Sequence, residues 1–283
     1  MRSSQSENIE DQAFAFDEVV GEYDRLGVAM DDFSWYRDHE ILELINNSVP
    51  ATCKSGLDIG CGTGIVLGYL AEKNDEVHWL GIDKAPEMIA RASAKCGRFR
   101  NVSLQRLEWG LLKREAAPKG FDFILLKNVL HLVADVSQQL SILPGLLSPS
   151  GRILVVETVS PNADSKRFIS KLVRILEIIG VKKHVFAANE VIKSVKRAGL
   201  DIQRVQYHDQ YIEIEKWINA KARSANVGNN AMSYIKQEML SGNLPTSMKY
   251  QPPSGSFPGK MLRRQILIQC VSKKPRDPSR VNQ

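Results

Sequence analysis

The amino-acid sequence predicts an α/β fold: a doubly wound sheet, mostly parallel, with an antiparallel last strand and a helical cap. Three observations predict it. Over residues 56–159, apolar runs of strand length alternate with amphipathic helical stretches, the pattern of a parallel sheet joined by crossover helices. The first of those runs leads into the turn Leu57-Asp58-Ile59-Gly60-Cys61-Gly62-Thr63-Gly64, with glycines on alternate positions. Two later runs, 202–214 and 261–271, have strand character and are expected to pair antiparallel.

Length and composition frame these elements. A chain of 283 residues, 43% of them apolar, buries one ample core, so a single domain over 1–283 is expected. Within it, 1–50 reads as an amino-terminal helical cap, 51–160 as the strand-rich core, 161–272 as a second half with cap helices over 215–243, and 273–283 as a charged, mobile tail. Residues 14–45 carry apolar groups at helical spacing, broken near 27–33, and read as two helices. After Pro161 come helices over 165–179 and 188–198, a helical region over 217–240 and a Pro-rich loop over 244–258.

There is no apolar run of about 18 residues or more and no basic-plus-apolar leader at Met1, so neither a membrane span nor a secretory signal is expected, and the cytoplasm is the expected location. Cys53, Cys61, Cys96 and Cys270 are scattered without a Cys-x-x-Cys pair or histidines at ligand spacing, so free thiols and no metal site are expected. Residues 1–40 hold eleven acids against Arg2, Arg25 and Arg37, net −8, which leaves +14 on the remainder of a chain of net +6. An acidic amino-terminal segment over a basic body is thereby favoured. The lysines are dispersed and no arginine-rich run is interleaved with aromatics, so the body reads as a solvated surface or a match for an anionic substrate, with nucleic acid disfavoured. Oligomeric state has no signature here.

The chemistry concentrates at strand ends. In the turn, residues with a Cβ would clash with a closely approaching ligand or refuse the backbone angles, which is why glycine is needed. Asp58 precedes the first glycine, and Cys61 sits within the turn as a small packing residue. The run 77–83 ends in Asp83, a carboxylate able to accept both hydroxyls of a ribose diol. Lys84 follows, Pro86 suits a first helical turn, and Met88 faces back toward the strand ends. A third run, 102–108, ends in Glu108, able to accept from an adenine amino group, with Trp109 beside it as a flat apolar surface or indole donor. Dinucleotide-binding folds also place glycines and a downstream acid this way, so an NAD-binding dehydrogenase is a rival reading.

Three successive strand ends bearing Asp-x-Gly-x-Gly-x-Gly, Asp and Glu resemble the class I S-adenosylmethionine-dependent methyltransferases, over roughly residues 50–200. The resemblance implies a Rossmann-like sheet and S-adenosyl-L-methionine as cofactor. It places the turn of Asp58, Gly60, Gly62 and Gly64 at the methionine part, Asp83 at the ribose, and Met88 and Glu108 at adenine, while Cys61, Lys84 and Trp109 beside them are further candidates for cofactor binding. Leu107-Glu108 stands where the family usually has Gly-Asp, and Ala85 where it often has Ser. The string from Phe121 to His131 is similar to the family's fourth motif, and that from Leu146 to Glu157 to its helix end, turn and fifth strand. The small-molecule branch, including ubiquinone and menaquinone biosynthesis methyltransferases, is the nearest likeness.

A methyl on a sulfonium is already activated, so transfer chiefly requires the acceptor to be held in line. An acceptor that must lose a proton also needs a base. His131, after the fourth strand, is the first candidate, with packing or helix capping as the alternative; His184, in a loop bordering the site, is the second. His39, His78 and His208 read as structural or solvated. Asn128, at the carboxyl end of the fourth strand, is expected to meet the cofactor's amino group through its backbone carbonyl or side chain. Glu157 is expected to steady a substrate cation or to form a buried salt bridge. The family likeness further implies an amino-terminal segment closing over the cofactor, with Tyr23, Trp35 and Tyr36 lining the substrate cavity. No Asn/Asp-Pro-Pro-Tyr/Phe string and no Pro-Cys occur, and Lys127-Asn128 stands in place of clustered carboxylates. Methylation of base or glutamine amino groups, cytosine C5 chemistry and metal dependence are thereby disfavoured. The expected function is methyl transfer to a small molecule; an RNA or protein methyltransferase and a non-catalytic scaffold are the alternatives.

Overall fold

A computed structural model describes residues 38–112, 118–176, 184–222, 224–252 and 259–273. Of the two helices expected over 14–45, only the part from Asp38 onward lies within them. Among the described residues the strands are β1 Ser55–Ile59, β2 His78–Asp83, β3 Val102–Arg106, β4 Phe121–Lys127, β5 Leu147–Ser160, β6 Phe186–Ala187, β7 Leu200–Glu213 and β8 Lys260–Ser272. The helices are α1 His39–Asn46, α2 Ile65–Lys73, α3 Pro86–Cys96, α4 Val136–Leu140, α5 Leu143–Leu146, α6 Ala163–Ile175, α7 Ala188–Arg197, α8 Ile214–Lys221 and α9 Ala225–Leu240.

The strands form one sheet in the order β3-β2-β1-β4-β5-β8-β7, with β6 beside the end of β5. The first five are parallel, and β8 runs antiparallel to both β5 and β7, as the sequence led one to expect. Strand order reverses between β1 and β4, so the connections leaving their carboxyl ends diverge and open a crevice there.

The sequence of β4 shows how the layers are assigned. Its residues are apolar on both faces, as a strand covered on both sides must be. Phe123 and Leu125 join Trp79, Leu154, Val156 and Leu267 on the face covered by α1, α2 and α3. Ile124 and Leu126 join Leu57, Ile59, Val155 and Ile268 on the other, beneath α4, α5 and α7. A third core gathers α6, α8 and α9 around Phe168, Leu172, Ile218 and Tyr234, with Met248 and Met261. Because α6 follows β5 and α8 follows β7, this bundle stands at the carboxyl ends of the strands. The helices expected over 215–243 belong to it.

Two boundaries differ from expectation for local reasons. Helix α6 begins at Ala163 because Asn162 and Ser165 form a reciprocal capping box. The helical region expected over 217–240 begins at Ile214 and is made of two helices, with the Ser224 side chain accepting from the Val227 N–H to restart the chain as α9. Close packing supplies a first prediction. A Cβ on Gly56 would lie 2.4 Å from the Trp79 ring, which is 1% exposed and meets Phe123 edge-on. Gly56→Ala is expected to cost about 1–3 kcal/mol, read as a lower urea midpoint; an unchanged midpoint contradicts this packing.

Candidate active site

The turn after β1 is built by backbone geometry. Gly60, Gly62 and Gly64 take left-handed angles, φ 69°, 54° and 78°. The N–H groups of Gly60 and Cys61 donate to the Ile82 carbonyl at 2.8 and 3.0 Å, tying the turn to β2. A Cβ on Gly60 would strike Val129, and one on Gly64 would strike Cys96 and Ala92, whereas one on Gly62 would meet nothing within 4 Å. Gly62 therefore faces open space.

Beside that space Asp83 is held by backbone donors. The Gly62 N–H reaches its Oδ2 at 3.0 Å and the Ala85 N–H its Oδ1 at 2.9 Å. A carboxylate only accepts, with about four lone-pair sites on its two oxygens, which suits the hydroxyl donors of a ribose diol. Burial pushes the Asp83 carboxyl up, against the pull of those amides and of Lys84. The Leu107 N–H donates to the Asp83 carbonyl at 2.9 Å, setting the exposed Glu108 and the buried Trp109 at the same edge, with Met88 buried beneath. Trp109 Nε1 is buried with no partner among the described residues. An open glycine turn, an oriented carboxylate and an indole donor fit an adenosyl group. Gly62→Ala is expected to cost about 1–2 kcal/mol of stability through its backbone angle. It is also expected to weaken S-adenosylhomocysteine binding by filling the cradle; calorimetry giving the wild-type affinity contradicts it.

Beneath the turn Asp58 lies within the field of Lys127. Asp58 is 2% exposed, and burial pushes its carboxyl up to about 7 while Lys127 on neighbouring β4 favours its ionised form. Lys127 is pushed down to about 8 by burial and by Arg263, against Asp58, Glu157 and Asp38. An acid raised in the fold contributes stability below its ordinary 3.8 that is lost as pH rises toward 7. For Asp58→Asn, the change in Tm on going from pH 4 to pH 7 is expected to be more positive than for the wild type. Parallel Tm curves contradict that sign.

Adjacent residues of β5 hold the segment after β4. Glu157 is fully buried, and its Oε1 is 2.9 Å from His131 Nδ1. The backbone N–H groups of Leu130, His131 and Thr158 also donate to this carboxylate. A carboxylate only accepts, so the neutral ring carries its proton on Nδ1, and Nε2 becomes its acceptor nitrogen. Of the two roles expected for Glu157, the structure shows the buried pairing, with His131 as its partner and both oxygens engaged inside the core.

His184 is fixed in the same segment. Its Nε2 donates to the carbonyls of Val133 at 2.9 Å and Ala134 at 3.2 Å, its backbone N–H donates to the His131 carbonyl, and its ring stacks on Phe186. Carbonyls only accept, so the neutral ring carries its proton on Nε2, and these bonds make His184 a brace of the loop that carries His131. Asn128, at φ 55°, has its Oδ1 taken by the Thr158 hydroxyl at 3.0 Å and Gln265 Nε2 at 3.4 Å. Its side-chain oxygen is thus spent, and its backbone carbonyl is the group left to meet an amino group. Cys61 is buried, its thiol pushed up by burial, which removes it as a nucleophile.

Tyr23, Trp35 and Tyr36 lie outside the described residues. His208, read as structural or solvated, is structural: it is buried on β7 with its Nε2 2.8 Å from Asp38 Oδ2, where Gln210 also donates. Asp38 Oδ1 caps α1 by accepting from the Glu40 N–H, so this contact pins the start of α1 to the sheet. Among the described residues no group of three or more His, Cys, Asp or Glu side chains could hold a metal ion, and no helix is long and apolar enough to cross a membrane.

Residues 57–153 match the family described as a methyltransferase domain. An uncharacterized methyltransferase of Mycobacterium tuberculosis is 32% identical over 131 residues, covering 46% of this chain and 64% of that protein. A demethylmenaquinone methyltransferase of Tropheryma whipplei is 31% identical over 121 residues, covering 42% of this chain and 46% of that protein. The chain thus matches less than two thirds of the length of either relative. The crystal structure of the YcgJ protein of Bacillus subtilis aligns with a TM-score of 0.67 at 21% identity, over 84% of this chain and 100% of that one, a likeness of fold.

Proposed function

We infer that this chain, which carries a class I S-adenosylmethionine-dependent methyltransferase domain, transfers a methyl group from S-adenosyl-L-methionine to a small-molecule acceptor. The observation that carries this reading is the open face of Gly62 beside Asp83, at the same sheet edge as a histidine held by a buried glutamate. When bound, the cofactor supplies a methyl group activated by its sulfonium for in-line displacement. The work of the chain is to bind, orient and deprotonate. Asp83 accepts the ribose hydroxyls, while Met88, Glu108 and Trp109 bound the adenine.

His131 Nε2 takes the proton of an acceptor hydroxyl or ammonium, and Glu157 stabilises the imidazolium that forms. The bundle of α6, α8 and α9 walls the carboxyl ends of β5 and β7, excluding water from the reacting groups. A small-molecule acceptor is supported by the branch that the relatives represent and by the dispersal of the chain's lysines. We place this work in the cytoplasm, where four thiols stay reduced. The test is a screen for S-adenosylhomocysteine formation against phenols, quinol precursors, amines and thiols. Turnover with a member of that panel is expected. Turnover confined to RNA or protein reassigns the substrate, and failure to bind S-adenosylhomocysteine removes the activity.

A further inference from the structure

We propose that the side-chain amide of Asn128 is a specificity-determining donor that binds a ligand oxygen at the carboxyl end of β4, on the acceptor molecule or on the cofactor's carboxylate. The proposal rests on the methyltransferase reading above and adds a chemical requirement to it.

The direction of the amide follows from a chain of donors. Arg263 can only donate, and its Nε and a terminal nitrogen reach Thr158 Oγ1 at 3.2 and 2.8 Å. Those two bonds fill the lone pairs of the hydroxyl, so its proton goes to Asn128 Oδ1 at 3.0 Å. Gln265 Nε2 approaches the same oxygen at 3.4 Å. Turning both amides over would ask Thr158 Oγ1 to accept a third hydrogen bond. Asn128 Nδ2 is therefore directed away from this network, buried and without a partner among the described residues. A buried amide left without an acceptor opposes folding unless a ligand supplies one.

The backbone points the same way. Asn128 holds φ 55°, left-handed and uncommon for a residue with a side chain, directly after the last residue of β4 and beside the strand-order reversal. Its N–H is fixed on the Val156 carbonyl at 2.7 Å. A hydrogen-bond donor excludes ammonium and sulfonium as partners. It selects oxygen: hydroxyl, phenolate, carbonyl or carboxylate.

Asn128→Asp tests this, since Asp tolerates the same φ and replaces the donor by an acceptor of equal size. The variant is titrated calorimetrically with S-adenosylhomocysteine and with 5′-methylthioadenosine, which lacks the amino-acid carboxylate, and assayed with the acceptor found in the screen above. If the oxygen is the cofactor's, S-adenosylhomocysteine affinity falls about tenfold or more while methylthioadenosine affinity holds. If it is the acceptor's, both nucleosides bind as to the wild type and kcat/KM falls about tenfold or more. Thr158→Val, which frees the amide to turn, is expected to show a smaller loss in the same quantity. Unchanged values throughout overturn the proposal, and so do equal losses for both nucleosides, which mark damage to the adenosine site. Asn128→Gly, which keeps the backbone angle, replaces Asn128→Asp should the latter fail to fold. A wild type that binds no S-adenosylhomocysteine defeats the functional reading itself, a result distinct from any of these.

Discussion

His131→Ala lowers turnover about 100-fold or more, within the usual range for loss of a general base, while S-adenosylhomocysteine binding stays near that of the wild type. The expectation rests on the buried carboxylate of Glu157 at 2.9 Å from Nδ1, which leaves Nε2 as the accepting nitrogen. Glu157→Gln keeps the shape but loses the charge that favours the imidazolium. It should lower turnover and shift the pH–rate profile with little change in KM, the signature of a residue acting through another. A histidine that only packs or caps the loop behaves otherwise: its loss lowers stability by about 0.5–3 kcal/mol and leaves turnover normal in the folded fraction. Turnover and Tm measured on one preparation separate the outcomes, and a destabilised variant with normal turnover ends the case for His131.

Asp83→Ala weakens cofactor affinity at least about tenfold, because two charge-assisted hydrogen bonds to a ribose diol are each worth about 1.5–3 kcal/mol. The same carboxylate also accepts from Gly62 and Ala85, so alanine frees both backbone donors and loosens the turn. Asp83→Asn is therefore the companion variant: it keeps the size of the side chain while removing its charge and one acceptor. Calorimetry with S-adenosylhomocysteine reads both, and unchanged affinity in Asp83→Ala refutes the role.

What was legible in the sequence lies along the chain. The turn at 57–64 and the acids at Asp83 and Glu108 occupy consecutive strand ends, so alternation of strand and helix was enough to bring them to one edge. The apolar double face of β4 and the antiparallel run at 261–271 were readable from pattern alone. The rest depends on cross-strand register. Thr158 stands opposite Gln265 only because β8 inserts antiparallel beside β5, and Gln265 in turn stands opposite His208 on β7. Asn128 and Arg263 meet at Thr158, and His208 meets Asp38, through that register, and no local spacing records it.

Glu157 shows the same limit at one residue. Its place at the end of a strand left a substrate contact and a buried salt bridge both open; which face of β5 it takes decides between them, and that face is the one packed beneath α7. The break between α8 and α9 carries no Gly or Pro to announce it. There the Ser224 cap and the packing of Ile218, Ala222 and Ala231 into one core override a continuous helical pattern.

The central claim, that the open turn beside Asp83 holds an S-adenosyl group, is tested most directly by calorimetry of the full chain with S-adenosylhomocysteine and, separately, with NAD. The account predicts saturable one-to-one binding of S-adenosylhomocysteine and weaker or undetectable binding of NAD; tighter binding of NAD, or no heat with S-adenosylhomocysteine, would contradict it.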